Sequence, residues 1–160
     1  MAAIPSGQDA VAALPDRGRL LAVDLGDVRI GLALSDPDQI VASPLDTIPA
    51  VAAVDALADV LAAVITDQDV AGVVVGYPRT LAGREGAAAS RARKVATALA
   101  ERITAPVVLW DERFTTTEAE RVMIAQDVKR RPRRAAIDRV AASLILQGVL
   151  EARRGGRSWH

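Results

Sequence analysis

Four acidic residues occupy positions at which a folded chain would bring carboxylates together. Asp24 stands at the end of one apolar segment, and Asp111 and Glu112 stand at the end of another. Asp138 interrupts the apolar face of the last helical segment. Functional sites in open α/β sheets collect beyond the carboxyl ends of the strands. We therefore expect the strand-end acids to be neighbours, with Asp138 brought alongside them by its helix.

Such a cluster predicts a divalent metal. Carboxylates packed together without a cation would repel, and some would have to stay protonated. Ligands that are all oxygen favour Mg²⁺ or Mn²⁺. Two such ions about 3.5–4 Å apart can activate water and stabilise the leaving oxygen in phosphodiester cleavage. The composition agrees with this chemistry, because the chain has no Cys and its single His is the last residue, His160.

Three of these acids also have purely structural explanations. Asp24 could simply form a turn, and Asp111 could pair with Arg113. Asp138 could interact favourably with the dipole at the start of its helix. Three coincidences are less expected than one, but the residue pattern leaves these alternatives open.

The two halves of the chain carry opposite charge. Residues 1–80 contain 4 basic and 11 acidic residues, whereas residues 81–160 contain 16 basic and 9 acidic residues. This asymmetry indicates an anionic partner for the second half. The densest basic run, residues 129–134, comes just before Asp138. It is either a solvated loop or a segment that holds a polyanion near the metals by contacts to phosphates.

Hydrophobic periodicity predicts an α/β domain with a mixed sheet. The predicted strands are Leu20–Val23, Arg29–Leu34, Ile40–Ile48, Ala71–Val75 and Pro106–Trp110. The first two are predicted to form a hairpin. The third is predicted to lie at an edge of the sheet because it contains a Pro. The predicted helices are Val51–Ile65, Gly86–Arg102, Thr115–Ala125 and Ala135–Ala152.

The length of 160 residues suits one domain. We expect that domain to span residues 19–152, between a flexible N-terminal extension, residues 1–18, and a flexible tail, residues 153–160. The chain has no apolar run long enough to span a membrane and no signal-peptide pattern, so we expect a cytoplasmic protein that does not bind membranes.

Four segments, in this order along the chain, resemble the YqgF/RuvX family of Holliday-junction-resolvase-like proteins. Together they fall within residues 19–152. The segments are Asp24-x-Gly-x-x-Arg-Ile-Gly, Val75-Gly76-Tyr77-Pro78 with Gly83-x-Glu85-Gly86, Asp111-Glu112-Arg113-Phe114-Thr115-Thr116-x-Glu118-Ala119, and Asp138-x-x-Ala141-Ala142-x-x-Ile145-Leu146-Gln147.

The resemblance implies an RNase H-like fold, here a five-stranded mixed sheet flanked by helices, and a metal-dependent nuclease. Asp24, Glu112 and Asp138 would form the acidic set that binds Mg²⁺ or Mn²⁺, with Asp111 as a second candidate at the strand end. The basic residues expected to hold the nucleic-acid backbone are Arg29, Arg79, Arg113, Lys129, Arg130, Arg131, Arg133 and Arg134.

Three functions follow from these expectations. The first is processing of the 5′ end of pre-16S ribosomal RNA, which family members are generally assigned. The second is resolution of four-way DNA junctions, which predicts a homodimer rather than a monomer because two symmetric cuts need two sites. The third is a nucleic-acid-binding factor without catalysis, which predicts salt-dependent binding that does not need the carboxylates.

Overall fold

Five strands form one mixed sheet in the order β3-β2-β1-β4-β5. The computed structural model describes residues 4–26, 28–50, 53–77, 86–112 and 134–156. The strands are β1 (Arg19–Leu25), β2 (Arg29–Ser35), β3 (Ala42–Pro49), β4 (Val70–Tyr77) and β5 (Val107–Asp111). Strands β1, β4 and β5 pair in parallel, and β2 is antiparallel to both β1 and β3. The predicted five-stranded mixed sheet, with the third strand at an edge, is confirmed.

Three α-helices of the described residues cover the two faces of this sheet. They are α1 (Val54–Asp67), α2 (Ala87–Ala100) and α3 (Arg134–Gly156). Side chains alternate across a strand, so Leu21 and Val23 of β1 join the core under α1 and α2, whereas Leu20 and Ala22 join the core under α3. Each face of β1 is therefore buried, which explains its nearly continuous apolar sequence.

A glycine makes the hairpin between β1 and β2 possible. A β-carbon on Gly26 would clash with the carbonyl oxygen of Arg29. No other residue could take this position without moving the backbone of the turn. The hairpin register places Asp24 opposite Gly31.

The N-terminal segment, which we expected to be a flexible extension, packs against the domain in its described part, residues 4–18. The carbonyl of Pro5 accepts a hydrogen bond of 2.8 Å from the amide of Leu109, beside the free edge of β5. A 3₁₀ helix follows at Gln8–Ala13. Ala10 and Leu14 are buried in the core under α3.

The C-terminal end of α3 holds this segment in place. The Arg153 guanidinium, although we assigned it to a flexible tail, is buried and donates to the carbonyls of Val11 at 2.6 Å and Pro15 at 2.8 Å. The last helix thus extends to Gly156, beyond its predicted end at Ala152. No helix among the described residues is long and apolar enough to cross a membrane. The helix predicted at Thr115–Ala125 lies outside those residues.

Candidate functional site

The parallel strands align two of the four candidate acids at one edge of the sheet. Asp24 of β1 is in register with Gly76 of β4, and Gly76 is in register with Trp110 of β5. Glu112 comes two residues after Trp110, directly after β5 ends. Asp24 and Glu112 therefore stand at the carboxyl ends of two parallel strands, with β4 between them.

The Glu112 carboxylate reaches over the central strand. Its Oε1 atom lies 3.5 Å from the point that a β-carbon on Gly76 would occupy. Neighbouring strands are about 4.8 Å apart, and Asp24 is the residue paired with Gly76 on the next strand. Because Gly76 has no side chain, nothing of its own fills the space between these two acids.

Alternation along the strands separates the two acids at the end of β5. Asp24 is two residues beyond Ala22 and Glu112 is two residues beyond Trp110, and both of those neighbours pack in the core under α3. Asp111 therefore lies on the opposite face, where it is only 1% exposed. Asp24 and Glu112 are half-buried.

Helix α3 runs across this edge. The Cδ1 atom of Ile145 lies 2.6 Å from the β-carbon position of Gly76, so this side chain of α3 reaches β4 in the row of Asp24. Arg153, later in α3, binds the segment that precedes β1. The helix is therefore antiparallel to β1, and its N-terminal part lies toward the carboxyl ends of the strands.

Position 138 belongs to that N-terminal part. It precedes Ile145 by seven residues, two helical turns or about 10.5 Å. It also precedes buried Ala142 by four residues, about one helical turn. The side chain of Asp138 lies outside what the structure describes. Within the described residues no three acidic or His side chains are grouped closely enough to hold a metal.

The candidate nucleic-acid contacts are placed only in part. Arg29 is half-buried and begins β2, which puts it at the same edge as Asp24 because β2 is antiparallel to β1. Arg134 is the first residue of α3, and only its backbone is described. The remaining candidates lie outside the described residues: Arg79, Arg113, Lys129, Arg130, Arg131 and Arg133.

One further basic residue lies at this edge, although we did not assign it to the site from the sequence. Arg91 of α2 is half-buried and its Nη1 donates to the carbonyl of Gly26 at 3.2 Å. The sequence does contain a signal for it, since α2 follows β4 and its early residues must lie near the carboxyl end of that strand.

The strand order β3-β2-β1-β4-β5, with the last helix packed on one face of the sheet, is that of the RNase H-like fold. The structure of Thermus thermophilus RuvC in complex with a Holliday junction substrate shares this fold. Its TM-score is 0.59 at 15% identity, and the match covers 86% of this chain and 96% of that chain.

The chain belongs to the RuvX family, as its motifs indicated. The family model described as "RuvX: Holliday junction resolvase" matches residues 18–152. A relative from Mycobacterium sp. (strain KMS) is 46% identical over 141 residues, which cover 88% of this chain and 83% of the relative. A second, from Roseiflexus sp. (strain RS-1), is 46% identical over 137 residues, covering 86% of this chain and 96% of the relative. Both are named, provisionally, as pre-16S rRNA nucleases.

Proposed function

We propose that this RuvX-family protein is a metal-dependent nuclease that hydrolyses phosphodiester bonds, and that it processes the 5′ end of pre-16S ribosomal RNA. One observation carries the proposal: the Glu112 carboxylate reaches over Gly76, whose partner on the adjacent strand is Asp24. The names of the relatives from Mycobacterium and Roseiflexus support the substrate. The proposal includes a cytoplasmic location, where ribosomal RNA precursors are made.

The residues at this edge fit a hard divalent cation. Asp24 and Glu112 offer only carboxylate oxygens, on the same face of the sheet, and Gly76 between their strands adds no side chain of its own. Donors of this kind suit Mg²⁺ or Mn²⁺ better than softer metals. Asp24, Glu112 and Asp138 would hold the metal, which when bound supplies an activated water and a counter-charge for the phosphate.

The protein itself provides the placement of these groups. Asp24 is fixed by hydrogen-bonded strands on both sides. Glu112 is directed over Gly76 because alternation puts it on the same face as Trp110, which is almost completely buried. Arg29, Arg113 and the basic run at residues 129–134 would hold the substrate by its phosphates. Such contacts position a nucleic acid without selecting its sequence.

Asp111 has a different role in this proposal. It lies on the opposite face of the sheet from Asp24 and is buried at 1% exposure. We therefore assign the ligand at the end of β5 to Glu112 and a structural role to Asp111.

Resolution of four-way DNA junctions is the second candidate, favoured by the description of the family model that matches this chain. This function differs from RNA processing in the oligomeric state that it requires. Two symmetric cuts need two sites, so a resolvase would act as a homodimer, whereas a monomer suffices for one cut in an RNA strand.

The deciding experiment compares two substrates under identical conditions. The purified protein is incubated with Mg²⁺ or Mn²⁺ on a pre-16S 5′-leader RNA and on a four-way DNA junction. Asp24→Asn and Glu112→Gln are tested beside Asp67→Asn, which removes an exposed carboxylate at the far end of α1. Cleavage of the RNA alone, lost in the first two variants only, is the expected result.

Other outcomes would replace the proposal. Symmetric cleavage of the junction alone would make the protein a resolvase. Binding of either nucleic acid without cleavage, unchanged by Asp24→Asn, would make it a binding factor. Metal binding measured by calorimetry gives an independent readout, because Asp24→Asn and Glu112→Gln should weaken it and Asp67→Asn should not.

A further inference from the structure

Arg91 connects helix α2 to the turn that follows β1, at the end of the sheet that carries the candidate site. It lies in the second turn of α2, and its Nη1 donates to the carbonyl of Gly26 at 3.2 Å. Gly26 is two residues beyond Asp24, and its amide donates to the Asp24 carbonyl at 3.2 Å. The guanidinium is thus fixed beside the turn that follows Asp24, on the side of the sheet opposite to α3.

The charge of Arg91 is not neutralised by the described residues. Two other arginines, one just after α2 and one in α3, have carboxylate partners: Arg102 contacts Asp59 at 2.7 Å and Asp55 at 3.2 Å, and Arg153 contacts Asp16 at 3.3 Å. The partner of Arg91 is a carbonyl, and among the described residues no carboxylate lies within ion-pair distance of it. A carbonyl orients a guanidinium by one N–H and leaves its full charge and four further N–H donors.

We propose that Arg91 binds a phosphate of the nucleic-acid backbone at this edge. The inference rests on the proposed function in requiring a nucleic-acid substrate, but it does not require cleavage. A guanidinium held on one side by a carbonyl is already oriented, so it loses little freedom when a phosphate oxygen approaches the other donors. The contact supplies affinity and places the strand beside Asp24, and it does not read the bases.

The competing explanation is that Arg91 only fastens α2 to the hairpin turn. In both roles, replacing Arg91 removes its hydrogen bond to the Gly26 carbonyl and can lower stability, so a stability measurement alone does not distinguish them. The dependence of binding on salt does. A residue that contacts a phosphate releases a counterion on binding, and its loss lowers the slope of log K against log salt. A residue that only fastens the turn leaves that slope unchanged.

The test measures binding in an Asp24→Asn background, without divalent metal, so that no substrate is consumed. Fluorescence anisotropy of a labelled single-stranded pre-16S 5′-leader RNA is recorded over a range of salt. Arg91→Gln and Arg91→Lys are compared with Arg154→Gln. Arg154 is a matched control, since it also donates to a carbonyl, that of Ile40, but lies at the opposite edge of the sheet.

Arg91→Gln should weaken binding about tenfold at low salt and lower the slope by about 0.7, the value for one phosphate on a single strand. Arg91→Lys should restore the slope, and Arg154→Gln should leave both quantities unchanged. An unchanged slope in Arg91→Gln, an equal effect of Arg154→Gln, or no binding at all would overturn the inference. Failure of the wild-type protein to cleave, with the Arg91 slope effect intact, would count against the proposed nuclease and leave Arg91 as a phosphate contact.

Discussion

Ile145 fills the space that a side chain on Gly76 would need. Its Cδ1 atom lies 2.6 Å from the β-carbon position of that glycine, and the Glu112 carboxylate lies 3.5 Å from the same point. One missing side chain on β4 therefore lets α3 approach the sheet and lets Glu112 reach toward the strand of Asp24. The height of α3 above the sheet and the geometry of the candidate site are set by the same residue.

Gly76→Ala should consequently lower both the cleavage rate and the stability, although it adds only one methyl group. The methyl group would displace Ile145 or the chain end at Glu112, at a cost of about 1–3 kcal/mol in the free energy of unfolding. Urea unfolding and the cleavage rate on the RNA leader measure the two effects. Gly86→Ala is the matched control, because a β-carbon there meets none of the described residues within 4 Å. Equal effects of both substitutions would show that the contact with Ile145 does not matter.

The two acids at the end of β5 should behave differently when each loses its charge. Glu112→Gln should lower metal-dependent cleavage by about 100-fold or more, since even residues behind a metal ligand affect metal affinity by 10–100-fold. Asp111→Asn should keep that metal dependence and lower the midpoint of thermal unfolding, because Asp111 is buried on the opposite face at 1% exposure. Single-turnover rates and calorimetric unfolding distinguish the pair. A reversed pattern would make Asp111 the ligand.

The positions of β1, β2, β4 and β5 could be predicted from the sequence because each of these strands is largely an apolar run that ends near a turn residue or an acid. The start of α1 could not. Its N-cap is Ala53, which makes no side-chain cap, so nothing marks the boundary, and the helix begins at Val54 instead of the predicted Val51. The N-terminal segment looked like an extension because its partners, Leu109 and Arg153, are far away in the sequence.

In the candidate site, too, features that depend on neighbouring residues could be predicted, whereas contacts between residues far apart in the sequence could not. The acids at the ends of β1 and β5 are visible in the sequence, and so is the alternation that separates Asp111 from Glu112. Arg91 is different. Its partner is the carbonyl of Gly26, 65 residues earlier, and a backbone carbonyl has no residue type that a sequence pattern could reveal.

Arg153 should contribute strongly to stability without taking part in catalysis. Its guanidinium is buried and donates to the carbonyls of Val11, Leu14 and Pro15. Arg153→Ala should lower the free energy of unfolding by about 2–4 kcal/mol, because it leaves buried acceptors unsatisfied. Hydrogen exchange adds a local readout. The Leu109 amide, which donates to Pro5, should lose protection as the N-terminal segment detaches.

Arg154→Ala provides the control for that prediction. Arg154 is the next residue of α3 and is more exposed, so its loss should leave exchange at Leu109 close to that of the wild-type protein. If Arg153→Ala lowers global stability but leaves the Leu109 amide protected, Arg153 does not hold the segment against β5.

Asp36 makes part of the stability depend on pH. The amide of Val41 donates to its Oδ1 atom at 2.8 Å and that of Ile40 at 2.7 Å, and these bonds lower the pKa of Asp36 below its ordinary value of 3.8. A carboxyl group whose pKa is lower in the folded protein than in the unfolded chain stabilises the fold above the unfolded value. This contribution is lost as the pH falls through the folded value. It should therefore be complete near neutral pH, begin to decrease near pH 3.8 and be lost below the lowered pKa of the folded protein.

Asp36→Asn should thus be less stable than the wild-type protein at pH 7, by at most about 1 kcal/mol because the carboxylate is close to solvent. The difference should shrink toward zero at low pH, where the wild-type carboxyl is also uncharged. Urea unfolding at pH 7 and pH 3 measures it. Asp38→Asn, which removes an exposed charge in the same loop, controls for net charge. A stability difference that is the same at both pH values would mean that the charge of Asp36 contributes nothing to the hydrogen bonds from Ile40 and Val41.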